Sequence, residues 1–267
     1  MRLLSALAVA LWLAAGPALA AEPAALAKAR QRYNAGDFEG AITAAAVARN
    51  IPGSSDQASL VIARSHLERY RMRADPLDLT TAREALFTVQ KDNLSPRDQV
   101  DLLIGMGQAL YLGEVFGAAA ELFDTALTRN SLLTADDRHL LLDWWATTLD
   151  REAQARPQDR RSRVFERILT RMESELKTDP FNPVATYWLA VAARGSGDPE
   201  RAWNAAVTGW VLSCLAPDRA ATLRDDLDRL VVQALIPERA HLRPAGEQQE
   251  AVATLHAEWN LVKEQWR

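Results

Sequence analysis

Cysteine is almost missing. Among 267 residues there is one, Cys214, so no internal disulfide is available and a thiolate zinc framework has no ligands. Cys214 sits in WVLSCLA at the end of an apolar helix, where a buried structural thiol is expected. Histidine is scarce too: His66, His139, His241 and His256 are scattered, with no two at metal-ligand spacing. No Gly-rich phosphate loop occurs, since Gly195-Ser196-Gly197 lacks the following glycine and lysine, and no serine is flanked as a nucleophile elbow. Asp143, Asp150, Glu152, Asp225 and Asp226 are candidates for pairing in space, but solvated helix faces explain them better. The sequence therefore names no catalytic residue, metal or cofactor. Basic runs are absent as well: the net charge is −4 with the signs interspersed, which argues against nucleic acid and against a polybasic membrane patch.

Long apolar runs are confined to the N-terminus. Met1 to Ala20 carries one charge, Arg2, then an apolar stretch from Leu3 to Ala15 and the tripeptide Ala18-Leu19-Ala20. This reads as a secretory signal with an Ala-x-Ala cleavage site, too short to span a bilayer. The mature chain is expected to begin at Ala21, to carry a net charge of −5 once Arg2 is gone, and to be periplasmic or secreted. With no cysteine after the cleavage site it lacks a lipid anchor, and no later segment is apolar enough to cross a membrane.

No segment alternates as a strand would, so the mature chain reads as all-α. Its clearest stretch is LLIGMGQALYLGEVFGAAAELFDTAL, within Gln99 to Leu133. Leu103, Met106, Gly107 and Leu110 share one helical face; Ala119, Phe123 and Ala126 share another. Gly107 and Ala119 allow two helices to approach closely, with Phe123 filling the space beside them. This spacing resembles the tetratricopeptide repeat, whose large-x-x-large-small-x-x-large helix and Ala-x-x-x-Phe-x-x-Ala helix are both matched. The resemblance implies a right-handed solenoid of helical hairpins, a TPR-like superhelix, acting as a binding scaffold.

On that pattern residues 21–215 hold about five helix pairs and residues 216–267 form C-terminal capping helices. Gly36-Asp37-Phe38-Glu39 is the family's hairpin turn, followed by Ala41, Ala45 and Ala48, and Gly197-Asp198 restates it. In the second unit RADPLDLT is expected as a long loop, with a new helix starting near Thr80. Ser95 and Pro96 open the third unit; Leu142, Trp145, Ala146 and Leu149 form the face of the fourth; Asn182-Pro183 open the fifth. Leu223, Leu227, Leu230 and Ala234 make an amphipathic helix, IPERAHLRPAG separates it from the last, and Val252, Leu255, Trp259, Val262 and Trp266 form the last helix's stripe.

Of the eight tryptophans, all but Trp12 lie from residue 144 onward. Trp145 occupies a core position, and Trp203 and Trp210 are expected to pack on the C-terminal helices. Trp144 and Trp188 hold equivalent places in consecutive repeats, which the family register assigns to the concave side of the first helices. Around them the same register places Ile104, Gln108 and Tyr111 of the third unit, Leu140, Asp143 and Thr147 of the fourth, and Val184, Tyr187 and Val191 of the fifth. A concave, mostly apolar wall with a few polar groups suits a ligand; the competing reading is that the C-terminal helix fills it. The places where some family members carry the Lys, Asn and Arg that capture an acidic C-terminus hold Ile104, Gln108, Trp144, Val184 and Trp188 here, so that clamp is absent. The function expected is an exported, non-catalytic adaptor holding a protein or peptide partner. The alternative is a carrier of a hydrophobic or planar small molecule for a transport system.

Overall fold

Short polar residues cap six of the described helices, and four of them are followed directly by proline. Asp37, Asp75, Ser95, Asn182 and Asp198 each accept a hydrogen bond from a backbone amide of the first turn, and Thr134 with Asp137 forms a reciprocal capping box. Proline takes the first turn at Pro76, Pro96, Pro183 and Pro199, where the missing amide costs nothing.

The computed structural model describes residues 22–215 and 221–266. Among them it shows thirteen α-helices and no strand. They pair in chain order: α1 (Ala24–Asn34) with α2 (Phe38–Ala48), α3 (Ser55–Arg73) with α4 (Pro76–Thr88), and α5 (Pro96–Leu112) with α6 (Phe116–Leu127). Then come α7 (Ala135–Gln154) with α8 (Gln158–Thr178) and α9 (Pro183–Gly195) with α10 (Pro199–Ser213). The chain finishes with α11 (Ala221–Leu230), a π turn at Val231–Leu235, α12 (Ile236–His241) and α13 (Gln248–Gln265). Each hairpin packs on the next, and first helices also touch, α1 on α3, α3 on α5, α7 on α9 and α9 on α11. The signal sequence expected over residues 1–20 and its expected cleavage point lie outside the described residues. No helix among those described is long and apolar enough to cross a membrane.

Close approach is what the small residues permit. A Cβ on Gly107 would stand 2.5 Å from Phe123 Cε1, and one on Gly195 would stand 2.5 Å from Phe165 Cε1. Ala119 of α6, Ala190 of α9 and Ala202 of α10 are fully buried. Buried apolar residues form two cores. One runs from Leu26 to Ala109 and the other from Val100 to Trp259, and α5 contributes to both, with Leu102 and Ala109 on one side and Val100 on the other.

Three expectations need correction. RADPLDLT is not a long loop: α3 continues to Arg73 and α4 starts at Pro76, because Asp75 accepts from the Leu77 amide and Pro76 fits the first turn. Ala74 alone makes the bend, in the left-handed region at φ 53°. IPERAH is not a separator either but helix α12. Pro237 has no amide and crowds the carbonyl one turn back, and the π turn just before it absorbs that misfit. The break comes later, between Leu242 and Glu247. Finally, Cys214 is half-buried, its sulfur 2.7 Å from an Arg224 guanidinium nitrogen and 3.1 Å from the Trp266 carbonyl oxygen.

Turns inside three hairpins share one geometry. Gly36, Glu114 and Gly197 all have positive φ, at 76°, 60° and 88°. In each, the next amide bonds back five residues: Asp37 to Arg32, Val115 to Leu110, Asp198 to Ala193. Tyr33 meets Phe38 edge-on at 5.6 Å, and Tyr111 meets Phe116 the same way at 5.5 Å. Glu114 is exposed and has a side chain where the other two turns use glycine. Left-handed backbone costs a residue with a Cβ about 1 kcal/mol or more, so Glu114→Gly should raise stability by roughly 0.5–1 kcal/mol after glycine's own entropy cost. Urea denaturation followed by circular dichroism checks this; an unchanged or lower midpoint would show that the turn is not strained.

Candidate functional site

The first helices α5, α7 and α9 carry the residues singled out from the sequence. On α5, Ile104 and Tyr111 are half-buried, while Gln108 is 5% exposed and its Oε1 has no hydrogen-bond partner. On α7, Leu140 is 61% exposed, Asp143 is exposed, and Trp144 and Thr147 are half-buried. On α9, Val184, Tyr187 and Val191 are half-buried and Trp188 is 6% exposed.

Two clusters form from these residues. Tyr111 and Trp144 meet edge-on with centroids 5.1 Å apart, and the Arg71 guanidinium, reaching from the end of α3, lies 5.0 Å above the Trp144 ring. Trp188 donates its indole N–H to Asp143 Oδ1 at 2.8 Å and packs edge-on against Tyr187 at 5.7 Å. The two tryptophans do not pair with each other among the described residues; each ring is held by partners of its own. Ile104, Tyr111, Trp144, Val184, Tyr187 and Val191 all border the second core. Leu140 stays outside it, one helical turn before Trp144.

Carboxylates gather around Tyr187. Burial pushes its hydroxyl above the ordinary tyrosine range, Asp226 of α11 and Asp143 of α7 add to that, and Arg229 opposes it. Asp150, a turn beyond Thr147, is likewise raised, chiefly by burial, and accepts from Gln154 Nε2 at 2.6 Å. This end of the surface is apolar with an acidic margin.

The C-terminal helix does not lie over these rings. α13 packs on α12, and its buried Trp259 inserts beside Trp203 and Trp210 of α10 at 6.1 and 5.3 Å. Trp259 Nε1 and Lys263 Nζ both donate to Asp228 Oδ1, at 2.7 and 2.8 Å, which ties α13 to α11. Trp145 is 1% exposed, with Arg167 and Arg171 stacked near its ring at 5.7 and 5.5 Å.

Sequence reasoning missed the opposite end. Between α1, α3, α5 and the start of α7 lies a cavity of about 240 Å³. Arg30 pairs with Asp98 at 2.9 Å, Arg64 with Asp101 at 3.1 Å, and Arg97 with Asp137 at 2.8 Å. The signal was present in the spacing. The residue directly after the small one of each first helix is Arg30, Arg64, Gln108, Thr147 and Val191 in turn, a gradient from charged to apolar along the array. Among the described residues no three His, Cys, Asp or Glu are grouped as metal ligands. No family model matches this sequence, and no curated protein or solved structure is detectably similar to it.

The hydrogen bond from Arg97 is the main reason the Asp137 carboxyl titrates below its ordinary value of 3.8. A carboxyl depressed on folding stabilises the protein above its unfolded value and loses that contribution as pH falls through the folded one. The urea midpoint should therefore fall on acidification below pH 3.8, and Asp137→Asn should flatten that part of the profile. An identical acid slope in the variant would show that the Arg97 bridge does not couple to folding.

Proposed function

We propose that the protein is an exported, non-catalytic scaffold that holds an extended segment of a partner polypeptide along the first helices of its hairpins. In this reading the hairpins wind as a right-handed, tetratricopeptide-like superhelix, with those helices on the concave side and the last three helices closing its end. The observation that carries the reading is the half-open Trp144 ring, bracketed by Tyr111 and Arg71, with exposed Leu140 beside it. Half-buried Val184, Tyr187 and Val191 continue the same apolar strip on α9. A partner segment suited to it offers apolar or aromatic side chains, and a basic residue to meet Asp143 and Asp226. The carrier alternative is less well supported, because the rings that would enclose a planar ligand are held by one another, by Arg71 and by Asp143.

Binding is tested with a peptide array of random sequences probed by the purified protein. Apolar peptides with a basic residue should be selected. Trp144→Ala should weaken the selected peptides about tenfold or more while costing less stability than Trp145→Ala, which removes a fully buried ring and should cost about 3–5 kcal/mol. Equal affinity of wild type and Trp144→Ala would remove the strip as the binding surface.

Export rests on the leader described above. N-terminal sequencing of protein recovered from the periplasmic or extracellular fraction should begin at Ala21. Intact protein starting at Met1 in the cytoplasm would overturn it.

A further inference from the structure

We infer that the cavity between α1, α3, α5 and the start of α7 is a second binding site, specific for a small zwitterion, that is, a free α-amino acid carrying both its ammonium and its carboxylate. This site is separate from the aromatic strip and does not depend on how the strip is used.

Its lining is balanced in charge. Arg30, Arg64 and Arg97 are paired in its wall with Asp98, Asp101 and Asp137. A lone anion entering there meets three carboxylates, and a lone cation meets three guanidiniums. A molecule with both charges meets an opposite charge at each end, so it loses least on leaving water.

The polar atoms left over have the matching chemistry. Arg64 Nε is buried without an acceptor and Gln57 Oε1 is buried without a donor, and both residues line the cavity. Asp101, 7% exposed, has its Oδ1 near the guanidiniums of Arg64 and Arg97, at 3.1 and 3.5 Å, but receives no well-directed hydrogen bond. Arg30 Nε, 2.9 Å from Glu22 Oε1, likewise makes no well-directed hydrogen bond, so two donors and two acceptors are unmatched, which a carboxylate and an ammonium together would satisfy. Buried polar atoms are ordinarily paired, so such a cluster in a cavity open to solvent calls for a polar occupant. The 240 Å³ volume equals the share of roughly eight waters, the size of an amino acid and too small for a folded partner.

Rigid partners hold the key groups in place. Arg64 is stacked over Tyr33 at 4.8 Å, and Gln57 is anchored by donating its Nε2 to the Asn93 carbonyl at 2.9 Å. The guanidinium and the amide are thus oriented before anything binds, which lowers the ordering cost of association.

The test uses the purified protein, with each standard L-amino acid supplied singly, read by thermal shift and then by isothermal titration calorimetry. At least one amino acid should bind, and its N-acetyl derivative and its α-carboxamide should each bind at least about tenfold more weakly, since each removes one charge. Arg64→Lys keeps the charge facing Asp101 but deletes the Nε donor, and Gln57→Leu deletes the free acceptor at a second place. Either folded variant should lose about tenfold in affinity. The proposal is overturned if no amino acid binds. It is equally overturned if the N-acetyl form binds as well as the parent, which would mean an anion site, or if the carboxamide does, which would mean a cation site. Binding unchanged in folded Gln57→Leu would place the ligand elsewhere. None of these results bears on the peptide array, so failure here and failure of the scaffold reading are distinguishable.

Discussion

Close passage of one helix over another, at points where a side chain has been reduced to a hydrogen or a methyl group, is the constraint on which the rest of this molecule depends. Gly107 beside Phe123 and Gly195 beside Phe165 let a ring occupy the space that a Cβ would fill. Fully buried alanines at 29, 63, 146 and 190 serve the same purpose in the neighbouring first helices. Interiors pack at crystal density, so the position of the small residue fixes the rotation of each helix about its own axis. Once that is set, the following residue projects at a defined angle, and successive hairpins display Arg30, Arg64, Gln108, Thr147 and Val191 in register.

That register divides the surface chemically. Toward the N-terminal end the first helices are joined by ion pairs whose partners come from different hairpins, as Arg30 with Asp98 and Arg97 with Asp137. Toward the C-terminal end rings and aliphatic side chains take over, with the Asp143 to Trp188 bond as a polar link between α7 and α9. Elsewhere charge pairing reinforces stacking: Glu175, 7% exposed, receives Arg138 from α7 and Arg171 from its own helix. A carboxylate so buried is tolerable because both guanidiniums reach it.

Local features were legible in the sequence because each has a local cause. Small residues at helical spacing, Ser95 and Asn182 as caps, and the two Gly-Asp turns gave hairpins in the right places. The long-loop reading of RADPLDLT failed because Asp-Pro signals both a break and a start, and only the length of the preceding helix tells which. IPERAH failed because a proline that ends an α-helix can be carried by a π turn, whose wider spacing leaves no mark on the apolar pattern. For the site, membership of one face was readable but depth was not. Trp144 and Trp188 hold equivalent positions, yet one is half-open and the other is closed by Tyr187 and Asp143, since burial depends on neighbours in other hairpins. Arg71 over Trp144 was invisible because it depends on α3 extending a further turn.

One helix belongs to both cores. Leu102 and Ala109 of α5 pack toward the earlier hairpins and Val100 toward the later ones. Where helical hairpins pack mainly on their neighbours, opening spreads stepwise unless some element is shared. α5 is that element, a party wall between two rooms. The two cores accordingly form two blocks among the described residues, whose mutual stabilisation passes chiefly through the seventeen residues of α5. Melting of either block strips one flank of α5 to water and parts the Arg71 guanidinium from the Trp144 ring, and so destabilises the other block.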